Sequence, residues 1–129
     1  MIVSDLMAEQ PAWIGPDATL GMALKMMAER SCRHLAVLDG PNVVGIISDR
    51  DLSLYYDPEN MTEEKWNRAL VRDLMAQDPT TIGSQAPLAE AAKLLLSEGF
   101  SALLIVDSGN LVGILTEQDF VRYYAEQAR

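Results

Sequence analysis

The chain is poor in the residues that staple small proteins or hold metals. It has one cysteine, Cys32, so no internal disulfide can form. It has one histidine, His34, which excludes the usual Cys/His zinc sets. Basic residues are scarce: 10 Lys and Arg face 19 Asp and Glu, a net charge of -9. Such a surface is a poor partner for nucleic-acid phosphates or an anionic membrane, although a local basic pocket can still take one small anion. Long apolar runs are missing too. The longest, Ala102 to Val106, is far too short to span a bilayer. The opening Met1-Ile2-Val3-Ser4-Asp5-Leu6 has neither the basic segment nor the apolar stretch of a signal peptide. The expected location is therefore the cytoplasm. What is present is 129 residues, 49% hydrophobic and 22% charged, the balance of an ordinary globular chain.

The chain repeats itself. A shift of 68 positions aligns Val3–Tyr56 with Val71–Tyr124 without a gap, and 21 of the 54 pairs are identical. The shared Asp-Leu-Met-Ala, at Asp5–Ala8 and Asp73–Ala76, heads each copy. Pro11 and Pro79, Gly45 and Gly113, and Asp51 and Asp119 also coincide. Shared helical composition alone would not preserve that punctuation.

Each copy reads in the same order. A short extended piece, Ala12–Ile14 or Thr80–Ile82, follows a proline. Leu20, Ala23, Leu24, Met27 and Ala28 then mark one face of a helix, as do Leu88, Ala91, Ala92, Leu95 and Leu96. Thr19 suits the cap of the first, and Pro87 the first turn of the second. Leu35–Leu38 and Val43–Ile47 flank a four-residue polar turn, as do Leu103–Val106 and Leu111–Leu115, which predicts two hairpins. A last helix starts near Ser48 and near Thr116.

The predicted fold class is α/β: two β-α-β-β-α repeats packed with pseudo-twofold symmetry. Residues 1–56 form repeat 1, 57–70 a connector with a short helix from Thr62-Glu63-Glu64, and 71–129 repeat 2. Trp66 and Leu70 are expected to order the connector. Each repeat is too small to bury enough surface by itself.

The strongest chemical signal is the end of each hairpin. Gly45-Ile46-Ile47-Ser48-Asp49-Arg50-Asp51 recurs as Gly113-Ile114-Leu115-Thr116-Glu117-Gln118-Asp119. A hydroxyl residue followed three positions later by an acid resembles a helix-capping box. The same groups can serve a ligand. Hydroxyl and N–H groups at a helix start suit an anion, and a carboxylate one turn on can accept both hydroxyls of a ribose.

Asp-Leu-Met-Ala at the head and Gly-h-h-Ser/Thr-x-x-Asp at the tail (h apolar), repeated in tandem, resemble the cystathionine β-synthase (CBS) domain, paired as a Bateman module. The resemblance covers nearly the whole chain. It implies a regulatory module that binds AMP, ADP, ATP or a related adenosine ligand in clefts between the repeats and signals to a partner protein. It implies no catalysis and no required cofactor. By position, Ser48 and Asp51, and Thr116 and Asp119, would contact phosphate or ribose. The first strands would place Trp13 and Ile14, and Thr81 and Ile82, at the adenine. The next strands would add Arg33, His34 and Leu35, and Ser101, Ala102 and Leu103.

The copies differ in charge. Arg33, His34 and Arg50 in the first face Ser101, Ala102 and Gln118 in the second. A guanidinium suits bidentate phosphate contact, so the first site should prefer a phosphorylated ligand. The plain alternative for Arg50 is a solvent-facing residue paired with Asp49 or Asp51. Trp13 is expected to stack on the adenine ring, where it could also block the site. Cys32, whose counterpart is Phe100, and the Met26-Met27 pair read as packing residues, the methionines at a helix interface. The apolar faces around Met26-Met27 and Leu94–Leu96 are wider than one core needs, which predicts a homodimer through helices. Two rival functions remain: a structural dimerisation module with empty sites, and a hydrolase built on His34, Ser48 and Asp51. The second repeat speaks against the latter, because Ala102 replaces the histidine.

Overall fold

A computed structural model describes residues 1–59, 61–99 and 101–127. Its strands are β1 (Ala8–Glu9), β2 (Trp13–Ile14), β3 (His34–Asp39), β4 (Asn42–Ser48), β5 (Ala76–Gln77), β6 (Thr81–Ile82), β7 (Ala102–Asp107) and β8 (Asn110–Thr116). Its helices are α1 (Leu20–Arg30), α2 (Asp49–Tyr55), α3 (Glu63–Arg68), α4 (Val71–Leu74), α5 (Leu88–Glu98) and α6 (Glu117–Gln127). The fold is α/β with two four-stranded sheets, ordered β2-β3-β4-β5 and β1-β8-β7-β6. The predicted β-α-β-β-α order is present twice.

The compact units do not coincide with the repeats as they run in the sequence. A central unit spans Ala12–Pro79, and a split unit joins residues 1–11 to the chain from Thr80 onward. The strands β1 and β5, which the periodicity did not reveal, produce this division. β5 closes the central sheet by pairing antiparallel to β4, Gly45 opposite Gln77 and Ile46 opposite Ala76. β1 closes the split sheet on β8, Ala8 opposite Ile114 and Glu9 opposite Gly113. Two residues per strand carry too little pattern to be read from sequence.

The arrangement explains the repeated Asp-Leu-Met-Ala. Asp73 Oδ2 accepts the Leu70 N–H at 3.1 Å, and Asp5 Oδ2 accepts that of Ile2 at 2.8 Å, so each aspartate ties off a short turn. Leu74 and Met75 pack on the central core, and Leu6 and Met7 on the split core. The alanine then opens the closing strand.

In the central unit, Met22 N–H donates to Thr19 Oγ1 at 3.1 Å, which caps α1 as expected. Its stripe of Leu20, Ala23 and Met27 is buried against Ile14, Leu35, Val37, Ile47, Leu52 and Val71. The helix stops at Ser31, whose φ of 51° is left-handed. Met27 thus belongs to the core, with Met26 beside it, rather than to a helix interface. Cys32 packs on the same core, while Phe100 lies outside the described residues. The connector helix α3 is capped by Thr62, and Trp66 lies 5.6 Å from Tyr55 and 6.4 Å from Tyr56, ring centre to ring centre. These ring contacts join the connector helix to the end of α2.

In the split unit, α5 buries Ala91 and Leu95 against Val3, Leu103, Ile105 and Leu115. Pro87 sits just before α5 rather than in its first turn. Leu96 is 84% exposed, so not every leucine of the predicted apolar face is covered in the chain itself. Both hairpins are tighter than predicted. Asp39 pairs with Asn42 and Asp107 with Asn110, leaving two-residue turns at Gly40-Pro41 and Ser108-Gly109. Ser108 and Gly109 both have positive φ, 49° and 80°, as a type I′ turn requires.

Candidate functional site

Register divides the predicted site residues between two faces. Directly paired residues share a face, and neighbours along a strand alternate. In the central sheet Ile14 pairs with Val37 and Leu35 with Ile47, and all four lie in the core. The opposite face therefore carries Trp13 and Ala36, which pair, together with Ile46, His34 and Ser48, the last two paired with each other. In the split sheet Ile82, Leu103, Ile105 and Leu115 face the core. Thr81, Leu104, Ile114, Ala102 and Thr116 take the other face.

This corrects part of the expected site. Ile14, at 4% exposure, and the fully buried Leu35 and Leu103 have core side chains and can offer a ligand only backbone groups. Ile82 packs on the split core in the same way. Ala36, Ile46, Leu104 and Ile114 were missed, although alternation combined with the hairpin register identifies them. The backbone edge also differs from expectation. Ala36 N–H donates to the Ala12 carbonyl at 3.1 Å, so the Trp13 N–H and C=O point away from β3, toward the open sheet edge. Trp13, rather than Ile14, offers its peptide groups there, and its side chain is 54% exposed.

The hairpin-end motif forms the cap that its spacing predicts. Asp51 Oδ2 accepts the Ser48 N–H at 2.8 Å and the Ser48 hydroxyl at 3.0 Å, and the Asp51 N–H reaches Ser48 Oγ at 3.3 Å. Asp119 Oδ2 likewise accepts the Thr116 N–H at 2.8 Å and hydroxyl at 3.2 Å. One carboxylate oxygen therefore does the capping in each copy. Asp51 Oδ1 accepts no hydrogen bond among the described residues, and Asp119 Oδ1 lies 3.6 Å from Arg122 Nη1. The Ser48 hydroxyl gives its one proton to Asp51 as part of the cap.

The two copies differ in charge around the hairpin-end motif. Arg33 and Arg50 are exposed, and neither makes an ion pair among the described residues, so the expected alternative of Arg50 paired with Asp49 or Asp51 is not formed. The Arg33 carbonyl accepts the Asp49 N–H at 2.9 Å, which joins the start of β3 to the start of α2. Burial holds the His34 imidazole below its ordinary pKa, with Asp49 and Asp51 opposing the shift and Arg33 adding to it. In the split unit Ser101 and Gln118 are exposed and neutral, and Ala102 sits opposite Thr116. Burial raises the Cys32 thiol pKa, which suits a packing residue better than a reactive thiolate. Among the described residues, no group of three His, Cys, Asp or Glu is placed to hold a metal ion, and no helix is long and apolar enough to cross a membrane.

The family model for the CBS domain matches residues 3–57 and again 71–126. The chain belongs to the CBS domain family. It carries two CBS domains in tandem. A CBS domain-containing protein of Dictyostelium discoideum is 37% identical over 129 residues, covering 94% of this chain and 89% of that protein. The inosine-5'-monophosphate dehydrogenase of Korarchaeum cryptofilum is 32% identical over 107 residues, 82% of this chain but only 21% of the enzyme's length. Among solved structures, CBSX2 of Arabidopsis thaliana in complex with AMP superposes with a TM-score of 0.81 at 32% identity, covering 99% of this chain and 98% of that one.

Proposed function

We propose that this CBS pair is a non-catalytic regulatory module that binds adenine nucleotides, AMP, ADP or ATP, and passes its occupancy to a partner protein. The likeness to AMP-bound CBSX2 over almost the full chain carries the reading. The residues support it. Trp13 offers an exposed ring and free-edge peptide groups beside His34 and Ser48 on one sheet face. Arg33 and Arg50 supply two guanidiniums without protein carboxylate partners among the described residues. Asp51 keeps one carboxylate oxygen for ribose hydroxyls while the other caps α2. Thr116 and Asp119 repeat that pair in the split unit, with Thr81, Ser101 and Ala102 as neutral neighbours.

In this reading the module works in the cytoplasm as a homodimer, needs no metal or cofactor, and signals because the ligand favours one of its conformations. The test is a thermal-shift panel of adenine and guanine nucleotides, followed by calorimetry. A ligand at 100 times its Kd adds about 2.7 kcal/mol of stability. Stabilisation by AMP, ADP or ATP without turnover is the expected result. Silence toward every nucleotide would leave a structural dimerisation module, and nucleotide hydrolysis would reject the regulatory reading.

A further inference from the structure

Ser84 is the buried polar residue of the described chain, at 5% exposure. Three segments of the split unit meet on it. Its N–H donates to Asp107 Oδ1 at 2.9 Å, and its hydroxyl donates to Asp107 Oδ2. Its carbonyl accepts the Ser4 N–H at 2.9 Å. The residues around it continue the clamp. Val3 N–H donates to the Ala86 carbonyl and Leu88 N–H to the Met1 carbonyl, both at 2.9 Å. The N-terminal arm, the loop after β6 and the end of β7 are thus tied through one serine. The two donations also hold the Asp107 carboxyl below its ordinary pKa, the side-chain bond first.

The central unit keeps the backbone half of this device and loses the side-chain half. Arg72 N–H donates to the Pro16 carbonyl at 2.9 Å and Val71 N–H to the Ala18 carbonyl at 2.8 Å, matching Ser4 and Val3. Pro16 stands where Ser84 stands in the other copy, with neither an N–H nor a hydroxyl to give. Asp39, the counterpart of Asp107, has a carboxylate with no hydrogen bond or ion pair among the described residues. The arm is held instead by an ion pair between Arg72 and Asp17, both substantially exposed.

We infer that Ser84 and Asp107 are positioning residues, a latch that fixes the loop after β6, and with it the N-terminal arm bonded to that loop, to the end of β7 in the split unit alone. Ser84 follows Ile82 by two residues, so the latch sets where Thr81 and the β6 edge stand. The consequence for ligand binding rests on the function proposed above, whereas the latch itself is read without any ligand.

The experiment is amide hydrogen exchange of the full chain at single-residue resolution, ligand-free. Asp107→Asn and Ser84→Ala should each speed exchange at the Ser4 and Ile82 amides by about tenfold or more, as loss of a charge-assisted bond implies. The Ile105 and Arg72 amides should not change. Asp39→Asn should have no effect, and Pro16→Ser should slow exchange at the Arg72 amide by supplying Asp39 with donors. Unchanged exchange at Ser4 and Ile82 in both latch variants would overturn the inference. So would an equal acceleration throughout β7 and β8, since the pair would then add only general stability. AMP titration by calorimetry supplies the second reading. Weaker binding at one of two sites in Asp107→Asn, with Asp39→Asn unaffected, is expected. Equal binding in all three proteins would overturn the link to β6. No binding of AMP, ADP or ATP by the unsubstituted protein would reject the proposed function and leave the exchange result to decide the latch.

Discussion

Met75 crosses Gly45 so closely that a Cβ built on the glycine would lie 2.5 Å from the methionine sulfur and 2.9 Å from the Ala76 carbonyl oxygen. Met7 crosses Gly113 in the same way, again 2.5 Å from sulfur to the built Cβ. The glycine of each hairpin thus admits the arm that closes its sheet. The sulfur sits on a flexible side chain, but the carbonyl belongs to the pairing strand. Gly45→Ala and Gly113→Ala should each cost about 1–3 kcal/mol as overpacking changes. Gly15→Ala has nothing within 4 Å of its built Cβ and should stay within about 0.5 kcal/mol of the parent. Urea unfolding of the three proteins checks this, and equal stabilities would reject the close-approach account.

Asp51 and Asp119 serve the cap and, in the proposed function, the ribose. Asp51→Ala should lower stability by about 1 kcal/mol through the cap. It should also weaken AMP binding at its own site by about one to two decades, the loss of a charge-assisted bond of roughly 1.5–3 kcal/mol. Asp119→Ala should do the same for the second site. Calorimetry at a temperature where both variants are folded separates the effects. Unchanged AMP affinity would leave the carboxylates as caps alone.

Arg33 and Arg50 should matter only when the ligand carries phosphate. Arg50→Ala should weaken ATP and AMP binding and leave adenosine unchanged, because adenosine brings no anion for the guanidinium. Gln118→Ala, at the neutral counterpart, should change none of the three. Equal losses for all three ligands in Arg50→Ala would remove the phosphate role.

The two tryptophans report different places. Trp13 is exposed at the edge of the central sheet, and Trp66 is held against Tyr55 and Tyr56. An adenine ring against Trp13 should shield it and change its emission, an aromatic contact adding about 0.5–1.5 kcal/mol beyond area burial. Trp66→Phe should keep the AMP-dependent fluorescence change, and Trp13→Phe should abolish it. A signal that follows Trp66 would move the ligand away from the β2 edge.

His34 makes stability depend on pH. Its folded pKa lies below the ordinary 6.5 because burial disfavours the cation more than Asp49 and Asp51 favour it. As pH falls through 6.5 the unfolded chain takes up a proton before the folded one does, so stability drops from there down through the folded pKa. Above 6.5 the contribution is complete. Urea unfolding at pH 7.5 and pH 5.5 should show a decrease that His34→Gln reduces. Bound AMP phosphate should raise the His34 pKa, so AMP binding near pH 6 should take up protons, measurable by calorimetry in buffers of different ionisation enthalpy. An unchanged slope in His34→Gln would assign the titration elsewhere.

Local chemistry determined much of this protein. The 68-residue repeat is legible as direct identity between positions, and the helix stripes of Leu20, Ala23 and Met27 and of Ala91 and Leu95, the Thr19 cap and the Ser48–Asp51 box rest on neighbours within a few residues, visible in a linear chain. The charge difference between Arg33, His34 and Arg50 and their neutral counterparts was legible for the same reason. Tertiary structure alone decided which sheet receives β1 and β5, because two-residue strands have no pattern of their own and are specified by a glycine far along the chain, over which the methionine just before each strand crosses. It also sent Ile14, Leu35 and Leu103 into the cores, since a sheet face is chosen by register and packing rather than by residue type. The pairing of Ser84 with Asp107, 23 positions apart, depends on a loop and a hairpin end arriving together, a meeting that only the folded chain contains.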